Sequence, residues 1–278
     1  TKIGVGAFSG CKNIEELELT DNIEEIGSGA FNYCTGIKKI KIPISIKHSY
    51  NETYGYESSF KECNNIQELE YTKGNGEVNN DNVRITEYSK GTLKKVIFED
   101  GIKEIYPNAF ESCSNLETIN LPNDLEKIGS YAFCGCASWN AELKLPETLK
   151  EIGDYAFLGC STLYGDIKIP ENVVIIGNNA FSGCSLLKID MNLENKEHLN
   201  YEFDGWYTDE TYQNKFEDNI TNGNSSNLYP HWISTHEHSY ISMTTKQSTC
   251  TEKGQIKYIC TICSEEKYEE LPLAEHIA

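Results

Sequence analysis

Eleven cysteines and six histidines are the residues of this 278-residue chain whose types and spacing could support chemistry. Near the C terminus the pattern is Cys250-x9-Cys260-x2-Cys263, with His238 before it and His276 after it. Three thiolates and one imidazole form the ligand set of a tetrahedral zinc site, which would stabilise a segment too small to hold a core. The spacing does not decide between His238 and His276 as the fourth ligand. A disulfide, which an oxidising location favours, and the absence of both remain alternatives.

Seven of the other eight cysteines follow a repeat, and Cys134 lies outside it without an assigned role. Seven times a phenylalanine is followed by a cysteine three residues later, and the steps between these phenylalanines are 23, 29, 50, 23, 24 and 24 residues. Equivalent residues of adjacent coils stack ~4.8 Å apart, which exceeds the ~3.8 Å between the Cβ atoms of a disulfide. We therefore predict a buried ladder of free thiols, without a redox or metal role. The pairs are Phe8/Cys11, Phe31/Cys34, Phe60/Cys63, Phe110/Cys113, Phe133/Cys136, Phe157/Cys160 and Phe181/Cys184.

The elements that position these residues are the coils of a solenoid, because self-similarity at this period is typical of stacked repeats. In one unit, Leu116, Ile119 and Leu121 have the L-x-x-L-x-L spacing of a leucine-rich repeat, and Pro122 ends the short strand. Gly129 lies four residues before the next phenylalanine, where we expect a tight turn or a close approach of neighbouring coils. The sequence predicts a leucine-rich repeat solenoid of about eight coils over residues 1–191, with no cofactor.

This unit closely resembles the BspA-type (treponemal-type) leucine-rich repeats, which also carry I-G-x-x-A-F-x-x-C and L-P. The resemblance covers roughly residues 1–190. It implies a secreted or surface-anchored protein of a host-associated microbe, and several family members are similar to adhesins. The expected location is therefore extracellular or at the cell surface. The expected partner is a protein or glycan of a host or a neighbouring cell.

The solvent-facing strand positions alternate in charge between coils, which favours lateral neutralisation over a binding stripe. One such column runs Glu15, Lys38, Gln67, Lys94, Glu117, and the next runs Glu16, Lys39, Glu68, Lys95, Thr118. Exposed aromatic residues with few charges nearby are better candidates for a contact site, although packing is their more common role. These candidates are Tyr50, Tyr54 and Tyr56 in the insertion at 47–59, together with Tyr71, Trp139 and Tyr164.

Two small β-rich modules are expected after the solenoid. Residues 192–233 contain an aromatic-x-Gly-Trp-Tyr-x-Asp run around Trp206 and end in Leu-Tyr-x-x-Trp at Trp232, which resembles the Listeria–Bacteroides repeat of surface proteins. The resemblance implies a spacer or stalk with these two tryptophans in its core. Residues 234–278, which hold the zinc candidates, resemble short Cys/His repeats of the same class of surface proteins.

Composition and motifs exclude several functions. The formal net charge of −19 disfavours nucleic acid and anionic membranes, and no apolar run approaches the ~20 residues of a membrane helix. No H-E-x-x-H, G-x-S-x-G or phosphate-binding motif occurs, so an enzyme is not expected. The chain opens at Thr1 within a repeat, which indicates a fragment or processed form. We therefore predict a monomeric recognition or adhesion protein, with a passive surface spacer or an accessory region of a larger secreted protein as the alternative.

Overall fold

The computed structural model describes residues 1–48, 59–72, 85–191, 201–218, 220–222, 227–234, 239–260 and 266–274. None of these residues is α-helical, and a short 3-10 turn lies at Ile220–Asn222. The chain forms two compact units. The first contains Thr1–Glu194 and Gly205–His231, and the second contains Asn195–Asp204 and Trp232–Ala278.

Short strands account for most of the regular structure. In chain order they are β1 (Lys2–Ile3), β2 (Glu16–Glu18), β3 (Glu25–Ile26), β4 (Lys39–Pro43), β5 (Lys47–His48), β6 (Glu68–Thr72), β7 (Lys95–Phe98), β8 (Glu104–Ile105), β9 (Thr118–Ile119), β10 (Lys127–Ile128), β11 (Glu151–Ile152), β12 (Tyr164–Lys168), β13 (Ile175–Ile176), β14 (Leu186–Asp190), β15 (Tyr201–Tyr207), β16 (Lys215–Phe216), β17 (Tyr229–Ser234), β18 (Tyr240–Lys246), β19 (Gly254–Cys260) and β20 (Glu266–Leu271).

The first unit is the predicted solenoid, in which equivalent strands of successive coils pair in parallel. One side carries the five-stranded sheet β2-β4-β6-β7-β9, followed by a bridge between Glu142 and Tyr164 and by the pair β12-β14. We call this side the front ladder. A second side carries the shorter ladders β1-β3-β5 and β8-β10-β11-β13. The expected leucine-rich repeat fold is confirmed, with about seven turns of chain.

The core is a column of stacked phenylalanine rings inside the coils. Phe133, Phe157 and Phe181 are fully buried, and the centroids of successive rings lie 5.5 and 5.1 Å apart. The step of 50 residues interrupts the column, and there Tyr71 and Phe98 pack against the ring of Phe110 at 6.5 and 5.9 Å. Each phenylalanine ring is thus covered by the ring of the neighbouring coil. A change in the repeat period would move a ring out of this stack, which explains why the period is nearly constant.

The repeat cysteines are free thiols, as predicted. Six of the seven are buried, and Cys11 in the first coil is partly exposed. The Cys160 thiol donates to the Phe133 carbonyl of the preceding coil at 3.1 Å, and the Cys184 thiol donates to the Phe157 carbonyl at 3.1 Å. A small side chain with a weak donor is therefore suited to this position.

Close packing between coils also explains the repeated glycine. A Cβ atom on Gly129 or Gly153 would overlap the backbone of the preceding coil, at Pro107 and Ser130 respectively. No side chain fits there without separating the coils, so the expected close approach is confirmed at both positions.

The last coil of the solenoid is covered by the segment that follows it. Ile176 and Leu228 exchange two backbone hydrogen bonds of 3.0 and 2.7 Å, and the Gly183 N–H donates to the Thr221 carbonyl at 3.0 Å. The indole of Trp206 is buried and donates to the Met191 carbonyl at 2.8 Å. This segment acts as a C-terminal cap, which repeat arrays require. The β15–β16 pairing places Trp206 opposite Phe216 in a sheet of order β16-β15-β17.

The second unit contains the antiparallel sheet β18-β19-β20. Its described side chains are mostly exposed, including Ile241, Met243 and Tyr268. Such a sheet has little core of its own, which agrees with the expectation that this segment needs additional stabilisation.

Candidate binding surface

The charged columns of the front ladder are internally paired. The ammonium of Lys38 lies 3.0 Å from the Glu15 carboxylate, and the Glu68 carboxylate lies 3.9 Å from Lys39 and 4.0 Å from Lys95. Each pair joins neighbouring coils, so the predicted lateral neutralisation is confirmed. Exposed pairs of this kind contribute only ~0–1 kcal/mol each. They leave few unpaired charges for a ligand on this part of the surface.

The second side shows the same arrangement. Glu126 accepts hydrogen bonds of 2.6 Å from Lys103 of the coil before and from Lys150 of the coil after. These two bonds lower the pKa of the Glu126 carboxyl to about 2. Both ladder faces are thus largely self-neutralised among the described residues.

Of the six aromatic candidates, the structure describes three. Tyr71 is 3 % exposed and Trp139 is 2 % exposed, so the expectation that they expose aromatic area is wrong. The physical reason is that both pack against the phenylalanine column, Tyr71 where the column is interrupted and Trp139 beside the continuous stack of Phe133 and Phe157. Tyr71 stacks on Phe98 at 5.3 Å, and burial raises the pKa of its phenol. Tyr164 is 47 % exposed, as expected. Tyr50, Tyr54 and Tyr56 lie outside the described residues.

Trp139 nevertheless marks an irregularity of the front ladder. From Cys113 to Pro122 the distance is nine residues, whereas from Cys136 to Pro146 and from Cys160 to Pro170 it is ten. The ladder break lies where the nine-residue coil meets the first ten-residue coil, in which the extra residue follows Trp139. No strand pairs with the far edge of β9 within the described residues. The two coils stay in contact on the second side, where the Glu126 carbonyl accepts the N–H groups of both Lys150 and Glu151.

A groove opens at this break in the front ladder. Its volume is about 540 Å³, within the range of ~300–1,000 Å³ that is typical of ligand sites. Apolar side chains of two coils form its lining, and polar side chains form its rim. The lining residues are Ile119, Asn120, Leu121, Asn123, Trp139, Ala141, Glu142, Leu143, Lys144, Leu145, Pro146 and Glu147.

The indole of Trp139 borders this groove and carries an unsatisfied donor. Its Nε1 atom is buried and has no hydrogen-bond partner among the described residues. Its ring packs against Phe133 at 5.2 Å and Phe157 at 6.3 Å. A buried donor without an acceptor is costly by ~1–3 kcal/mol, so this position is a weak point of the free protein.

Sequence reasoning selected Trp139 but missed its neighbours in the groove, Leu121, Leu143 and Glu147. The available signal was the difference between nine and ten residues from cysteine to proline. A second, shallower groove of about 440 Å³ lies over β12 and β14. Its charged side chains include Asp166 and Lys188, which pair with each other at 3.5 Å.

The described residues contain no group of three side chains that could hold a metal ion. Of the expected zinc ligands, His238, Cys263 and His276 lie outside the described residues, and Cys260 is described only in its backbone. Cys250 is exposed.

The hairpin register bears on the ligand set of that site. Cys260 lies opposite Tyr240 at one end of the β18–β19 pair, whereas Cys250 lies in the connection beyond the other end, near Gly254. The seven residues of β19 span ~20 Å. Two thiolates on one zinc ion lie within ~4.6 Å of each other, so this register does not bring Cys250 and Cys260 together.

Comparison with known proteins gives the family. The sequence profile of the BspA type leucine rich repeat region matches in six copies, over residues 1–86 and 81–208. No match was found among curated proteins. No helix of the described residues has the length and hydrophobicity needed to span a membrane.

Three solved structures illustrate the range of similarity. A leucine-rich repeat protein from Bacteroides ovatus is 25% identical, with 65% of this chain and 50% of that chain covered and a TM-score of 0.45. The leucine rich repeat protein of T. pallidum is 23% identical, with 67% and 71% covered and a TM-score of 0.38. A leucine rich cell surface protein from Faecalibacterium prausnitzii is 18% identical, with 68% and 63% covered and a TM-score of 0.30. The matched part thus spans half of the Bacteroides ovatus protein.

The profile match extends over most of the chain, and the phenylalanine column, the thiol ladder and the tight glycine turns account physically for the positions that the repeat keeps. The chain therefore belongs to the family of BspA-type leucine-rich repeat proteins.

Proposed function

We propose that this chain is the recognition part of a secreted or cell-surface protein and that it binds a protein or glycan of a host or a neighbouring cell. The observation that carries the proposal is the groove at the break of the front ladder, bordered by the unsatisfied indole of Trp139. Elsewhere the ladder charges pair with one another between coils. At such a site a partner can bury apolar surface and supply the missing hydrogen-bond acceptor, and both effects stabilise the complex.

We further propose that the chain acts as a monomer with a binding role and no catalytic role. The formal charge of −19 repels phosphate backbones and anionic lipids, so the partner is expected to be neutral or basic. The surface location is proposed from the family, whose members resemble surface proteins of host-associated microbes.

The test is binding of the whole chain to an array of matrix proteins, mucins and cell-wall glycans, with two matched variants. Glu147 and Glu171 each follow the proline of their coil, and only Glu147 lines the groove. Glu147→Arg should weaken saturable binding about tenfold, and Glu171→Arg should leave it within twofold. Equal effects of both variants would place the contact outside the groove.

The alternative is a passive surface spacer or an accessory region of a larger secreted protein. The lateral pairing of charges favours the spacer, because side chains that are paired between coils leave few free charges for a partner. Absence of saturable binding to every member of the array, by a folded chain, would favour the spacer over the recognition protein.

The C-terminal segments are proposed as the modules that their motifs resemble. For residues 192–233, a Listeria–Bacteroides-like module is supported by the buried Trp206 and by the turn at Asp209. The Asp209 carboxylate accepts a hydrogen bond from the Thr211 hydroxyl and from the N–H groups of Gln213 and Asn214, at 3.2 and 2.9 Å. These bonds lower the pKa of the Asp209 carboxyl to about 2. An aspartate in this motif position thus holds the turn closed.

For residues 234–278 we keep structural zinc as a proposal, with disulfide formation as its alternative. Cys260 and Cys263 are the proposed thiolate pair, and without Cys250 both His238 and His276 are needed to complete a set of four ligands. The register of β18 and β19 argues against Cys250 as a third ligand. Elemental analysis of the purified chain tests metal binding directly.

A further inference from the structure

We infer that the groove at the ladder break binds an extended peptide segment with a basic side chain, which adds as a strand to the free edge of β9. This inference rests on the proposed recognition function and names the class of partner and the way it binds. It is carried by the backbone groups of the β9 edge, the shape of the groove and the charge of its rim.

The free edge of β9 has backbone N–H and carbonyl groups that form hydrogen bonds to the next coil at the equivalent positions of the preceding coils. In the preceding coils one carbonyl accepts two N–H groups of the next coil at 2.7–3.2 Å, whereas the Glu117 carbonyl accepts none from the described residues. The Leu19 N–H donates to Lys41 of the next coil at 2.8 Å, whereas the equivalent Leu121 N–H has no acceptor in the described part of the chain. The carbonyls used in the regular steps are those of Glu15, Lys38, Gln67 and Lys94.

The spacing of these groups selects a peptide backbone. Glu117 and Leu121 are four residues apart along an extended strand, which is ~13 Å at ~3.3 Å per residue. A parallel or antiparallel strand presents donors and acceptors at this period, so a segment of about five residues can pair with the whole edge. Sugar hydroxyls have no such fixed period.

The floor of the groove also favours a peptide over a sugar. Both neighbouring phenylalanines cover the ring of Trp139, which is 2 % exposed, so it offers no open face on which a sugar ring could stack. What it offers is an N–H without an acceptor. A peptide carbonyl can fill that role. Because the nitrogen is closed to water in the free protein, the groove must widen slightly when the segment binds.

Charge complementarity selects a basic side chain in the segment. On the rim, Glu142 and Lys144 pair with each other at 3.5 Å. Glu147 is exposed and has no ion-pair partner among the described residues. One unpaired carboxylate on a chain of net charge −19 complements a lysine or arginine near one end of the segment.

The experiment selects binders from a displayed library of random eight-residue peptides on the whole chain and then measures the synthetic peptides by calorimetry. Leu121→Pro removes the edge donor, and Leu121→Val keeps it and serves as the matched control. We expect enriched peptides with a lysine or arginine, about tenfold weaker binding to Leu121→Pro and unchanged binding to Leu121→Val. Glu147→Gln should weaken binding by about threefold or more.

A second measurement does not depend on whether Leu121→Pro folds. Peptides with alternate backbone nitrogens methylated keep their side chains but lose the donors of one edge, so their affinity should fall at least tenfold. Unchanged affinity of the methylated peptides, failure to enrich any peptide, or dimers of the free chain that Leu121→Pro abolishes would each overturn the inference. Binding to the protein and glycan array that Leu121→Pro leaves unchanged would overturn it while the proposed function stands.

Discussion

Removal of one phenylalanine from the middle of the stacked column tests how the solenoid is held together. Phe157 is fully buried between the rings of Phe133 and Phe181. Phe157→Ala should destabilise the first unit by ~3–5 kcal/mol, since it deletes a core side chain and leaves a cavity between two coils. Phe8 is the control, because its ring is 42 % exposed and, among the described residues, stacks on Phe31 alone, at 5.3 Å. Phe8→Ala should cost ~1–2 kcal/mol.

Urea denaturation monitored by circular dichroism gives the free energy of unfolding of both variants, and thermal denaturation gives their midpoint temperatures. At ~2–4 °C per kcal/mol for a unit of this size, the midpoint of thermal unfolding should fall by roughly 6–20 °C for Phe157→Ala. Phe8→Ala should lower it by a few degrees only. Equal losses for the two variants, or a loss below ~1 kcal/mol for Phe157→Ala, would refute the claim that each ring is held by the coils on both sides.

Three further predictions concern other parts of the chain. Truncation after Met191 removes the C-terminal cap, so the solenoid should unfold at lower urea concentration than the whole chain does. If zinc is bound, atomic absorption should find it retained in Cys250→Ser and lost in Cys263→Ser; loss in both variants would contradict the register argument. Burial raises the pKa of the Cys63 and Cys184 thiols to about 12. Unfolded thiols ionise near ~8.5, so stability is complete below that pH and should decline as pH rises from there towards 12, as pH-dependent urea midpoints would show.

The repeat made most of the fold predictable. Phenylalanine, cysteine and glycine recur because each faces the same position of the neighbouring coil. The repeating sequence therefore predicts a stack of equivalent coils. The paired charges on the front ladder followed from the same logic. What the repeat could not predict were its exceptions. Tyr71 and Trp139 were expected to be exposed aromatic residues, yet both are buried against the phenylalanine column.

The candidate site was harder to predict because it depends on a change of one residue in coil length. The change from nine to ten residues before Pro146 is small in sequence, but at this step the Glu117 carbonyl and the Leu121 N–H have no backbone partner among the described residues. The C-terminal cap was also missed. Its contacts with Ile176 and Gly183 join segments distant in sequence, and no local pattern encodes them.

Hydrogen–deuterium exchange of the whole chain, with and without a saturating selected peptide, is the most direct test of the central claim that the ladder break is the recognition site. The Leu121 amide, which has no acceptor among the described residues, should exchange fast in the free protein and become protected in the complex. The amides of Lys38 and Gln67 in the regular coils should be protected in both states. Protection confined to other coils, or slow exchange at Leu121 in the free protein, would contradict the claim.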